Sequence, residues 1–224
     1  LMGLVLAPCI LAAMLAFALR QTFVAWYAVV CAGMALTIAM TSGLAASWFS
    51  GNLVVFLVFE RLGYVLIMFA SCQFARDFIE RDALSPAMRK ALRWSGIFIL
   101  FAGALNAGVI QSPALFGFAQ LVVLTALIAA FVQALRRGSR WVRYQLLGWS
   151  FAMVLVTDMA LKGVGLGGFL ETDFRIVYYA MVWEIIVVAI GVTDRGLMLR
   201  SDRDRARQQR RRVYQSCRKA HRAG

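Results

Sequence analysis

Seven long apolar stretches separated by short turns dominate this chain and leave it few folds to choose from. They run from Leu1 to Leu19, Phe23 to about Met40, Leu53 to Ala75, Ser95 to Ile110, Ala114 to Leu135, Tyr144 to about Leu166 and Phe174 to Val192. A membrane-spanning helix needs about 20 such residues. The 224 residues therefore accommodate seven spans and leave no room for a soluble catalytic domain. Composition agrees: 62% of residues are hydrophobic and only 16% charged, against about 45–50% and about 25% in soluble domains. The expected fold class is all-α, a polytopic membrane protein built as a bundle of seven transmembrane helices. The opening stretch is not a cleavable signal, because Arg20 follows the apolar run instead of preceding it. The fourth stretch is short and carries Asn106 with Gly103, Ala104 and Gly108, small residues that suit a bundle interior.

The turns orient the bundle. Arg20 lies between spans one and two, and Arg76, Arg81, Arg89, Lys90 and Arg93 between three and four. Arg136, Arg137, Arg140 and Arg143 lie between five and six, and eleven more basic residues follow Asp194, so 21 of the 24 lysines and arginines fall on one side. On the opposite side Arg175 alone follows the last turn. Basic residues mark cytoplasmic loops, which predicts an N-terminus outside and a C-terminus in the cytoplasm. The same distribution explains the net charge of +13 without nucleic acid, since a basic tail beside a span suits an anionic leaflet. The lipid bilayer is the expected partner. Cys9, Cys31, Cys72 and Cys217 show no paired spacing and imply neither a metal nor a disulfide.

In the turn after span three, Ser85-Pro86 is a helix-start signature, and Leu84, Met88 and Leu92 then recur every four residues. This predicts either a short helix on the inner membrane surface or a cytoplasmic extension of span four. Trp48, Trp94, Trp141 and Tyr144 fall where interfacial aromatic belts belong.

Local words along the spans make the chain recognisable. FALRQTFVAWYAVV (Phe17 to Val30) joins spans one and two through one basic turn, and TSGLAASWF closes span two. QFARDFIE (Gln73 to Glu80), LRRGSRWVRYQLLGW (Leu135 to Trp149) and VTDRGLMLRSDRDRAR (Val192 to Arg207) follow. In order and spacing, from Gly3 to about Arg207, the chain resembles the bacterial seven-transmembrane receptors with diverse intracellular signalling modules (7TMR-DISM). The resemblance implies a sensor that passes an outside signal to a cytoplasmic output, such as a diguanylate cyclase or histidine kinase. Such receptors commonly carry a sensory domain before span one. This chain opens in span one and stops at Gly224, so it is expected to be a piece of a larger receptor or one whose output has been lost.

On this basis residues 1–194 form the sensor and transmitter domain, and 195–224 a basic cytoplasmic linker or tail. Val192, Leu199, Ala206 and Val213 recur every seven residues, as one seam of a coiled coil would, and a homodimer through this helix is the partner that such a seam offers. The companion positions are polar or basic, Asp202 and Gln209 or Arg203 and Arg210, which favours a solvated continuation of span seven.

Five ionisable residues lie inside spans: Glu60 and Arg61 on three, Asp158 and Lys162 on six, and Glu184 on seven. Each costs at least about 2.5–3.5 kcal/mol to insert, so all five are expected to face inward, and their depths allow them to meet in the outer half of the bundle. One arrangement is a structural ion-pair network. The other is a polar pocket or relay whose protonation, or occupancy by an unknown extracytoplasmic ligand, shifts the bundle between states. Asn106 and Gln120 offer further hydrogen bonds to either.

Sharper chemistries fail. A retinal protein needs a lysine on span seven, and Lys162 is on span six. His221 is the only histidine and lies in the tail, so no catalytic triad assembles and no metal spacing occurs. Gly163, Gly165, Gly167 and Gly168 lack the lysine-serine ending of a phosphate loop. No catalytic residue and no cofactor is expected. The expected function is signal transmission across a bacterial inner membrane. The alternative is a small transporter or channel subunit using the intramembrane charges, against which stand the odd number of spans and the lack of an internal duplication.

Overall fold

A computed structural model describes residues 2–19, 21–41, 53–107, 112–166, 179–180, 182–198, 200–201 and 208–209. Among them the chain is α-helical, with one 3-10 turn at Arg81–Ala83. The helices are α1 (Met2–Leu19), α2 (Thr22–Thr41), α3 (Leu53–Phe78), α4 (Pro86–Ala107), α5 (Pro113–Arg136) and α6 (Trp141–Gly163), with α7 at 182–198. Consecutive helices from α1 to α6 pack side by side. α7 closes the bundle against two of them: the Trp183 indole donates to the Leu147 carbonyl of α6, and the Tyr27 hydroxyl of α2 donates to the Ile185 carbonyl.

Both surfaces of the bundle are apolar. The interior is filled by side chains such as Met34, Phe74, Phe131 and Ile185, while Phe17, Phe101, Phe118, Phe151 and Ile190 point outward. An apolar exterior of this extent needs a non-aqueous solvent. Among the described residues four helices are long and apolar enough to cross a membrane: Thr22–Thr41, Val58–Phe78, Pro113–Arg136 and Trp141–Gly163.

Where helices cross closely, glycine makes it possible. A Cβ on Gly33 of α2 would lie 3.1 Å from the Gly63 carbonyl oxygen of α3, and one on Gly117 of α5 would lie 3.0 Å from the Ala160 carbonyl oxygen of α6. With no hydrophobic drive between helices in lipid, such close backbone contact is what holds them together.

Helix ends follow local chemistry. The Met88 N–H donates to the Ser85 Oγ at 3.2 Å, so Ser85 caps α4 as its sequence predicts. The helix that begins there runs unbroken to Ala107, which makes Met88 and Leu92 part of an extension of α4 and not a separate surface helix. α5 ends at a left-handed Gly138, with the Ser139 N–H donating to the Ala134 carbonyl, the reverse turn that glycine permits after a helix. α6 ends the same way at Gly165.

Among the residues expected at interfacial depth, Trp141 faces inward: it is 5% exposed, packed edge-on against Phe78 and covered by the Arg140 guanidinium 4.8 Å from its ring. It stands on the first turn of α6, beside the end of α3. Trp94 is exposed, as a belt residue would be. Trp48, Gly108, the turns at 42–52 and 167–178 with Arg175 and the start of span seven, and most of the tail, including Leu199, Ala206 and Val213, lie outside the described residues.

Candidate functional site

The five ionisable residues expected inside spans divide by partner. Lys162 and Asp158, one turn apart on α6, form an ion pair at 2.6 Å, with the Asp158 side chain fully buried and that of Lys162 44% exposed. Arg61 instead donates to the backbone carbonyl of Asn106 near the end of α4, where a helix leaves its carbonyls without internal partners. Glu60 is half-buried.

Glu184 has a setting of its own. It is 4% exposed and borders a cavity of about 70 Å³ between α2, α3, α5, α6 and α7. The walls include Met34, Tyr64, Met68, Trp149 and Met153, and among the described residues Glu184 supplies their only carboxylate or cation. No described residue hydrogen-bonds or ion-pairs with it. Asp158, Lys162, Glu60 and Arg61 do not border this cavity. It sits where α7 meets α2 and α6, since the next residue, Ile185, accepts the Tyr27 hydroxyl at 2.7 Å.

A second assembly forms where α7 leaves the bundle. Val192 is completely buried in the core, so this first position of the heptad pattern faces the bundle. Three residues later Arg195 lies over the rings of Phe23 and Phe78, 4.9 and 5.1 Å from their centres. Burial pushes its guanidinium down to about 10, while Glu80 and Asp77 oppose that shift. It therefore stays charged at neutral pH.

The surroundings of this clasp are fixed by hydrogen bonds. Arg89 donates to the Arg76 carbonyl at 2.7 Å and the Glu80 carbonyl at 3.1 Å, closing the end of α3. Glu80 accepts the Ser139 hydroxyl from the α5–α6 turn, and Arg137 of that turn donates to the Asp82 carbonyl at 3.0 Å. Across the same end the Ser85 N–H donates to the Gln133 side chain at 3.0 Å. The ends of α2, α3, α5 and α7 thus meet at one end of the bundle, the end that carries the basic turns.

Sequence reasoning did not single out Arg195 or Tyr27. Arg195 was one of eleven basic residues after Asp194, and only contact with Phe23 and Phe78 separates it from the rest. Tyr27 gave a usable signal, a phenol in mid-span that needs an acceptor. Gln145 is buried, with neither amide atom hydrogen-bonded among the described residues. No group of residues that could hold a metal occurs among the described residues.

The family model described as 7TM diverse intracellular signalling matches residues 1–195. No curated protein and no solved structure matches the chain.

Proposed function

The chain belongs to the 7TM diverse intracellular signalling family, and from that premise we propose that it is the sensing and transmitting region of a bacterial inner-membrane receptor. In this proposal it crosses the membrane seven times, with its N-terminus outside and its C-terminus in the cytoplasm. Membership supports a multi-pass membrane protein of a signalling-receptor family. The location of 21 of 24 basic residues in alternate turns and the tail supports the orientation. Residues 1–194 would respond to the stimulus and 195–224 would carry the response to an output module downstream, without chemistry in this chain.

The Arg195 clasp carries the proposal. α7 continues as helix from its core residues through Val192 to residue 198, so a shift or rotation of α7 reaches the exit undiminished. Arg195, resting over Phe23 and Phe78, must then move within its clasp or leave it. A two-state element of this kind is what transmission requires.

The test is Arg195→Met and Phe78→Leu in a receptor carrying its output module, with output normalised to expression. A buried cation–π contact is worth about 1–2 kcal/mol, and a loss of that size moves a two-state equilibrium about 5–30-fold. Basal output should change severalfold in both variants and in the same direction. Unchanged output at equal expression would refute transmission through this exit.

A further inference from the structure

We propose that the cavity bordered by Glu184 is a binding site for a small lipophilic amine, an apolar body carrying one ammonium group. A buried carboxyl group on largely apolar walls, with no described residue to pair it, keeps its charge only when a counter-charge with hydrogen-bond donors arrives, and otherwise holds a proton. An ammonium group supplies both, and its attached hydrocarbon fills the remaining space. An alcohol of the same shape brings a donor without the charge, and an acid brings a second negative charge.

The walls suit such a guest. The rings of Tyr64 and Trp149 border the cavity, and their faces attract cations. Met34, Met68 and Met153 give a polarizable, adaptable lining. The volume of about 70 Å³ is about five to seven times what one water needs, which suits an amine of about seven non-hydrogen atoms.

The outer face of the bundle offers an approach from the bilayer. A groove between α6 and α7, lined by Phe151, Val154, Tyr179 and Trp183, shares Leu155 and Ala180 with the cavity. Its rim faces outward, with Phe151 58% and Tyr179 72% exposed. A molecule that partitions into lipid would reach Glu184 by parting α6 and α7 beside the shared Leu155 and Ala180, without crossing the polar ends of the bundle. Occupancy would press on α7 one residue before the carbonyl that accepts the Tyr27 hydroxyl.

This inference rests on the receptor proposal only for its consequence, because binding is read on the chain itself. The protein in lipid nanodiscs at pH 7 is titrated with cyclohexylamine, cyclohexanol and cyclohexanecarboxylate, following melting temperature and tryptophan fluorescence. Cyclohexylamine should raise the melting temperature saturably, at a concentration at least about tenfold below that for cyclohexanol, the margin of a charge-assisted hydrogen bond. Cyclohexanecarboxylate should have no effect. Glu184→Gln should abolish the preference for the amine, and Met153→Trp, which fills the cavity and keeps the carboxylate, should abolish saturable binding of both.

Equal or non-saturable responses to amine and alcohol in the parent protein would overturn the proposal, as would a preference that survives Glu184→Gln. If either variant fails to fold, the three probes on the parent protein decide. A negative result here leaves the Arg195 variants free to respond, and silent Arg195 variants leave amine binding intact, so the two failures are distinguishable.

Discussion

The ion pair on α6 gives the most quantitative test of how this bundle treats charge. Asp158 and Lys162 stand 2.6 Å apart, one side chain fully buried and the other 44% exposed. Two unit charges at that distance attract by about 6 kcal/mol at an effective dielectric of about 20. Exposure of Lys162 and the desolvation of Asp158 offset much of this, and a coupling of about 1–3 kcal/mol is the expected remainder. The losses should also be unequal. In Asp158→Asn the freed ammonium keeps its route to the bundle surface. In Lys162→Met the fully buried carboxylate loses its ammonium partner, and the cost should be larger, toward the lower end of the about 3–5 kcal/mol seen for broken buried pairs. The double replacement should therefore be more stable than Lys162→Met alone. Equilibrium unfolding of all four proteins in mixed micelles, followed by helical circular dichroism, measures the cycle. Additivity within about 0.5 kcal/mol, or a larger loss from Asp158→Asn than from Lys162→Met, would refute the reasoning.

Three further outcomes are expected. A reporter fused after Gly224 should be active only in the cytoplasm and one inserted between Ser50 and Asn52 only outside; the reverse at either site would overturn the orientation and the span count together. Gly63→Leu should lower the melting temperature, because a Cβ there would lie 2.5 Å from the Thr37 hydroxyl and 3.2 Å from the Gly33 carbonyl oxygen, an overpacking cost of about 1–3 kcal/mol; an unchanged melting temperature would mean that α2 and α3 do not cross closely there. Inserting two residues after Leu199 in a receptor with its output module should alter output, since it rotates the downstream face by about 200°, whereas four residues, close to one turn, should be better tolerated. Equal output from parent and both insertions would make the segment a tether.

Much of the architecture is legible in the sequence because hydropathy and helix-end chemistry act over a few residues. The apolar runs mark the helices but not all of their ends: α3 reaches Phe78, a few residues beyond Ala75, and α4 starts at Pro86, more than two turns ahead of Ser95. Ser85-Pro86 announced its cap. The Asp158–Lys162 pair was legible for the same reason, since residues four apart on one helix are neighbours whatever surrounds them. Membership of the family was legible too, from the order of basic and aromatic words across the spans.

Tertiary structure decided which faces meet. Depth alone allowed Glu60, Arg61, Asp158, Lys162 and Glu184 to converge, but depth is one coordinate and the rotation of each helix is another. That rotation is set by where glycines let backbones approach, as at Gly33 with Gly63 and at Gly117 with Ala160. It sends Arg61 to the Asn106 carbonyl and leaves Glu184 facing a cavity walled by five helices. It likewise brings Tyr27 to Ile185 and Phe23 to Arg195, partners so far apart in sequence that no local pattern links them. The chain by itself determined that its helices are apolar and roughly where each lies along the sequence. Only the closing of α7 between α2 and α6 made one arginine among many the clasp of the exit, because a side chain's partner depends on the packing of distant helices and not on the residues beside it.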